Sequence, residues 1–239
     1  MQRIFLIESQ MIKDTLRLSR DVYHHLFNVC CLKVNDSFEF VIAEKRLYLA
    51  KIVSIESDSI KIEILDQWAI NPHRDQPVEI IQSLPKQDKF TEICRMCTEL
   101  GVGKIQPVYT EFCEVKVLKE NKFKRAISAI QSAAKQSKQT HVPILAPLLN
   151  IAHYLEQAVF KPNALKLVAY ESSSQTLSNV INDIPSELII AIGPEGGFSH
   201  ADISLFKAYG FTAFSLGSHI FRTEHAAFAS ICYIDGYLE

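Results

Sequence analysis

Two stretches of the chain place reactive side chains on loops that glycine allows to bend close to a ligand. The first is Gly193-Pro194-Glu195-Gly196-Gly197-Phe198, directly after the apolar run LIIAI at 188–192. The second runs from Gly217 through His219, Ile220, Phe221, Arg222 and Thr223 to Glu224. Five of the eight glycines fall between positions 193 and 217. Neither stretch has the G-x-G-x-x-G spacing of a dinucleotide loop or the lysine that closes a phosphate-binding P-loop. A carboxylate at 195 with no lysine beside it would repel a di- or triphosphate. It favours a cationic ligand or serves as a proton acceptor, while the glycines let the backbone approach that ligand. A sulfonium cofactor such as S-adenosylmethionine meets these demands better than ATP or NAD. Some of the residues nearby have local work: Ser199-x-x-Asp202 has the spacing of a capping box, and Gly210 reads as a helix C-cap.

The elements that must carry these loops follow from the apolar periodicity. Up to about residue 70 the runs RIFLI (3–7), FEFVIA (38–43), LYLAKIVSIE (47–56) and SIKIEIL (59–65) read as strands, with Ile60, Ile62 and Ile64 alternating with Lys61 and Glu63. Only 20–32 reads as helical, so this half is expected to be a small β-barrel or sandwich. WAINPHRDQP at 68–77 reads as a linker. Beyond it, strands alternate with helices. VEIIQSL (78–84) precedes a helix with Phe90, Ile93, Cys94, Cys97 and Leu100 on one face and Gly101 at its stop. A second helix puts Phe123, Ala126, Ile127, Ile130, Ala133 and Ala134 on one face and its lysines outward. LKLVAY (165–170), LIIAI and FTAFSL (211–216) read as buried parallel strands, with helices at about 175–182, 200–209 and 223–235. An α/β domain with a parallel sheet covered on both faces follows. Both glycine loops then leave the carboxyl ends of strands, where such sheets bind ligands.

Composition narrows the class. The chain has 239 residues, 48% apolar and 22% charged, which describes a globular protein. Its apolar runs fall short of a membrane helix, and the opening MQRIFLIESQ lacks the apolar core of a signal peptide, so a cytoplasmic location is expected. Six cysteines in that setting read as reduced thiols. Cys94-x-x-Cys97 has no second pair at zinc spacing, so no metal is expected. Net charge is −2, yet residues 116–141 carry seven lysines and arginines against one acid, Glu120. That run points to a polyanion-facing surface as readily as to a solvated helix face.

Four segments together resemble a known family. KQDKFTEICRMCTELGVGKIQPV (86–108), AAKQSKQTHVP (133–143), IGPEGGFSHADI (192–203) and LGSHIFRTEHAA (216–227) resemble, in order and spacing, the bacterial 16S ribosomal RNA uridine-N3 methyltransferases of the SPOUT superfamily, and the likeness covers nearly the whole chain. The resemblance implies a PUA-like, RNA-binding β-barrel over 1–70. It also implies an α/β methyltransferase domain over 74–239 with a deep trefoil knot, S-adenosylmethionine binding and homodimerisation. The substrate it implies is ribosomal RNA in assembled small subunits. Carried over, Gly193, Glu195, Gly196 and Gly197 form one cofactor loop. Leu216, Gly217, Ile220, Phe221 and Thr223 belong to the other, where backbone groups would hold adenine and ribose.

For uracil N3, an imide proton must leave and the nitrogen must align with the methyl group. Arg222 is read as the group that stabilises negative charge on the base, with Glu195 and Glu224 as candidate bases. Arg3, His25, Lys116, Lys122, Lys135 and Lys138 are the candidate RNA contacts. The chain departs from the family at Cys31, Phe112, Gln139 and His219, each standing where an arginine is expected. Phosphate contacts dominate RNA affinity. These departures therefore keep two alternatives open: another RNA target, such as a ribose 2′-hydroxyl or a transfer RNA base, and a non-catalytic RNA-binding scaffold.

Overall fold

The computed structural model describes residues 3–70, 77–181 and 184–238. The chain divides into two units, Met1–Pro72 with Ala134–His141, and His73–Ala133 with Val142–Glu239. A boundary near 70–74 in sequence does not include the segment at 134–141. The expected linker at 68–77 begins later than read, because Trp68 and Ala69 still belong to a strand. Its residues 71–76 lie outside the described ones.

The first unit contains β1 (Arg3–Leu6), β2 (Met11–Ile12), β3 (Thr15–Arg17), α1 (Arg20–His24), β4 (Ser37–Ile42), β5 (Arg46–Ile55) and β6 (Ser59–Ala69). They form one curled half-barrel sheet in the order β1-β4-β5-β6-β3-β2, parallel only between β1 and β4. Ile60 and Ile62 point into its core as the alternation predicts. Ile64, opposite Ala50, is exposed instead, and the β5–β6 register shifts just beyond it, between Leu49 and Ala50. The helix expected over 20–32 is shorter: α1 gives way to a π-helical turn at His25–Val29. Cys31, at φ 54, then reverses the chain.

The second unit contains β7 (Val78–Ser83), α2 (Lys89–Glu99), β8 (Lys104–Tyr109), α3 (Glu120–Gln136), β9 (Ile144–Leu145), β10 (Leu149–Asn150) and α4 (Ile151–Gln157). It continues with β11 (Ala164–Ala169), α5 (Leu177–Val180), β12 (Glu187–Ile192), α6 (His200–Ala208), β13 (Thr212–Phe214) and α7 (Thr223–Leu238). The sheet order is β10-β8-β7-β12-β11-β13, with β9 also on β8, and every pairing is parallel. Alternation along buried strands feeds two cores. Ile80, Leu188, Ile190 and Ile192 meet residues of α2, α3 and α7 on one face, while Ile81, Ile189 and Ala191 meet residues of α4 and α6 on the other. Cys94 and Cys97 are buried on α2, and burial pushes both thiols up, Cys97 to about 12. They act as packing groups.

Arg3 organises part of the first unit. Its guanidinium lies 2.7 Å from Glu39 on the paired strand β4, and it donates to the carbonyls of Lys138 and Gln139. The side chain is only 7% exposed. Removing one member of such a buried pair strands the other, at a cost of about 3–5 kcal/mol. Arg3→Ala is therefore expected to lower the urea midpoint of the transition that reports this unit; an unchanged midpoint would contradict the clamp.

Candidate active site

Because β7, β12, β11 and β13 run parallel, the loops that follow them leave one edge of the sheet. A cavity of about 660 Å³ lies there, within the usual range for cofactor sites. Its walls come from residues 169–171, 192–195 and 215–223, together with Lys89, Gly197 and Ala226.

The 193–197 segment is a tight turn, with Gly197 at φ 70 and its N–H donating to Pro194 O at 2.9 Å. A methyl group on Gly193 would lie 3.3 Å from both the Gly197 backbone and the Phe198 ring. Gly193, Glu195 and Gly197 face the cavity. Gly196 does not line it: its open side is against Phe112, whose Cβ would be 3.3 Å from an added methyl. A side chain there would press on Phe112.

The second loop holds Leu216, Gly217, Ile220, Phe221, Arg222 and Thr223 on the cavity wall, as expected from the sequence. Gly217 adopts φ 103, and the Ser215 hydroxyl bridges its N–H and carbonyl at 3.2 Å each. Thr223 joins the two loops. Its buried hydroxyl donates to Gly193 O at 2.6 Å and accepts from Gln82 Nε2 at 3.1 Å.

The charged groups are arranged differently from the sequence expectation. Lys89, at the start of α2, lies 3.1 Å from Glu224 and 3.6 Å from Glu195. Both Glu195 oxygens also accept from the Lys86 N–H, at 3.0 and 3.2 Å, so this carboxylate ties the β12 loop to the entry of α2. Burial pushes the Glu224 carboxyl up, but a bond to its own N–H, Lys89 and His225 together hold it below its ordinary value. It is thus a stable carboxylate and a weak base. Arg222 is exposed on the cavity wall, and among the described residues its guanidinium makes no hydrogen bond or ion pair. Glu171, after β11, adds a carboxylate to the same cavity.

Sequence reasoning missed Lys89, Glu171 and Gln82. Lys89 lies within the first segment that resembles the family, and Glu171 directly follows an apolar strand at its carboxyl end, so strand position alone could have found it. Gln82 carries no such signal, since a polar residue ending a buried strand acquires its meaning only from Thr223.

The candidate RNA contacts fare unevenly. Arg3, a candidate RNA contact, is buried with its guanidinium bonded to Glu39 and to the Gln139 carbonyl. His25 sits 3.6 Å from Cys30 Sγ, and burial, Lys135 and His24 lower its pKa, so it is neutral at neutral pH. Lys135 is half-buried with its pKa lowered by that burial. Lys122 is held by Asp88 at 3.0 Å and by Gln87 O, and Lys138 lies 3.8 Å from Glu39. Lys116 is exposed and unpaired among the described residues. Three of the seven basic residues of the run, Lys122, Lys124 and Lys138, thus face carboxylates.

This fold and cavity define an RNA methyltransferase: residues 72–235 match the RNA methyltransferase domain family, and residues 18–65 match the RNA methyltransferase PUA domain. Within that class the chain belongs to the ribosomal RNA small subunit methyltransferase E family. It is 30% identical to ribosomal RNA small subunit methyltransferase E 2 of Borreliella burgdorferi over 91% of this chain and 89% of that protein. It is 28% identical to the Rickettsia conorii member over 97% and 94%. The solved structure of the Neisseria gonorrhoeae member bound to S-adenosyl methionine is 25% identical, with a TM-score of 0.87 over 99% of this chain and 98% of that one. A putative methyltransferase from Legionella pneumophila, solved with bound SAM, is 25% identical with a TM-score of 0.85 over 98% and 97%.

The Lys89–Glu224 pair makes a pH-dependent prediction. A carboxyl titrating below its ordinary value of 4.5 contributes stability above that value and loses it as the pH falls through the lower, folded-state pKa. The stability gap between wild type and Glu224→Gln, measured by urea unfolding, should be largest near neutrality and close on acidification below about pH 4. A gap independent of pH would contradict the pairing.

Proposed function

We propose that this chain methylates N3 of a uridine in small-subunit ribosomal RNA, with S-adenosylmethionine as cofactor. The observation that carries the reading is the cavity between the 193–197 and 215–223 loops, with its one unpaired guanidinium, Arg222. The lining suits the cofactor. Glu171 and Glu195 supply negative charge for a cation, Gly193 and Gly197 allow close backbone approach, and Leu216, Ile220, Phe221 and Ala226 offer apolar contact for an adenine. When bound, S-adenosylmethionine supplies a methyl group on an electrophilic sulfonium.

The remaining work falls to the protein's own groups. Arg222 is free to meet a uracil carbonyl and stabilise the anion formed when the imide proton leaves. With that charge stabilised, the weakly acidic proton can pass to water without a dedicated carboxylate base. Glu195, Glu224 and Lys89 act as positioning residues that fix the two loops and the start of α2 relative to each other.

The same reading assigns RNA binding to residues 1–70 and methyl transfer to 74–239, the latter with the trefoil knot that the resemblance implies. It includes a homodimer, supported by the exposed Phe228, Tyr233 and Tyr237 of α7, which a second copy would cover. It places the enzyme in the cytoplasm with assembled small subunits as substrate; no helix among the described residues is long and apolar enough to cross a membrane.

The test supplies labelled S-adenosylmethionine to small subunits that lack their own modification and digests the RNA to nucleosides. Label is expected in 3-methyluridine, and Arg222→Ala is expected to lower the rate about 10²–10³-fold with cofactor binding retained. Label in another nucleoside, or none, would overturn the reading.

A further inference from the structure

The first unit has a cavity of its own, about 440 Å³, which the methyl-transfer site does not use. Its floor is apolar and fixed. Ile42 is buried, and Met11 and Tyr48 pack on the core of the sheet. The Tyr48 ring stacks on Phe40 at 4.9 Å and 7°, and Phe40 is fully buried, so the aromatic plane is locked from beneath.

The rim is cationic. Lys13, Lys45 and Arg46 face one carboxylate, Glu8, which lies 3.3 Å from Lys45 in a solvent-exposed pair. Such an exposed pair is worth little and exchanges readily for another anion. Arg46 donates to Gln67 at 3.5 Å, and among the described residues Lys13 makes no hydrogen bond or ion pair. Lys13 has φ 56, and Ala43 and Glu44, the two residues before Lys45, have φ 48 and 58.

A locked aromatic plane and a thioether favour a flat π-system, while three poorly paired cations favour an anion. One ligand that combines both within a few ångströms is a nucleotide. An acidic peptide would satisfy the rim and leave Tyr48 and Met11 unused. In a duplex the base faces are stacked away, so the nucleotide must be unpaired.

We propose that this cavity holds one unpaired nucleotide of the RNA substrate, with its base against Tyr48 and Met11 and its phosphates at Lys13, Lys45 and Arg46. The proposal rests on the reading of the chain as an RNA methyltransferase. It assigns sequence-tolerant grip to this unit and methyl transfer to the other.

The test is fluorescence anisotropy of labelled decauridylate with the full chain over a series of salt concentrations. Lys13→Ala with Arg46→Ala should reduce the slope of log affinity against log salt by about 1.4, the value for two lost phosphate contacts on a single strand. Tyr48→Leu should weaken binding about tenfold with the slope unchanged, and Tyr48→Phe, which keeps the ring, should bind like wild type. Affinities and slopes equal to wild type in the first two variants, or no binding of decauridylate by wild type, would overturn the proposal. A wild type that binds decauridylate in this pattern yet transfers no methyl group would overturn the function proposed above and leave this site standing.

Discussion

The Thr223 hydroxyl sits between two loops that are far apart in sequence. It donates to Gly193 O, accepts from Gln82 and begins α7, so a single buried oxygen ties together the end of β7, the β12 loop and the last helix. Buried polar groups of this kind are costly to leave unpaired, which makes the geometry around them close to all-or-none. The cavity exists because these segments converge there. Among its wall residues, Gly193 and Gly197 on one loop and Gly217 on the other leave backbone groups open to a ligand.

Around that junction the charges are divided by task. Lys89 neutralises Glu224 and approaches Glu195, and Glu195 in turn accepts from the Lys86 N–H. These three side chains are largely committed to each other. Arg222 and Glu171 are not bound into this set, and both face the cavity. A site that stabilises a developing anion next to a bound cation needs charges of both signs, and Arg222 and Glu171 both line this cavity. The separation of structural from available charge also explains the basic run of 116–141, where Lys122 and Lys138 face carboxylates and Lys135 is half-buried.

Much of this was legible in the residues themselves. The apolar runs at 165–170 and 188–192 named buried parallel strands because a strand covered on both faces has no polar side to show. The carboxylate within the glycine loop argued against a phosphate cradle on the ground that no lysine stands beside it in sequence, whereas in space Lys89 lies 3.6 Å from Glu195. What was not legible depended on partners remote in sequence. Nothing in the sequence ties Arg3 to Glu39 and to the carbonyls at 138 and 139, which hold its guanidinium in the structure. Gly196 reads as a cofactor glycine until Phe112 is found against it. Short elements also escaped: β2, β3, β9 and β10 have two or three residues each, too few for any periodicity to register. The candidate bases were inferred from residue type alone, and the pairing that holds the Glu224 carboxyl low needs Lys89, 135 positions away in the chain.

The central claim is that the Thr223 junction builds the cofactor cavity. Calorimetric titration of S-adenosylmethionine into wild type and Thr223→Val, whose valine keeps the shape and removes the hydroxyl, tests it directly. The account predicts that wild type binds and that the variant, still folded by circular dichroism, binds at least about tenfold more weakly, in line with the loss of a buried hydrogen-bonding group. Equal affinity in the two proteins, or no binding by wild type, would contradict it.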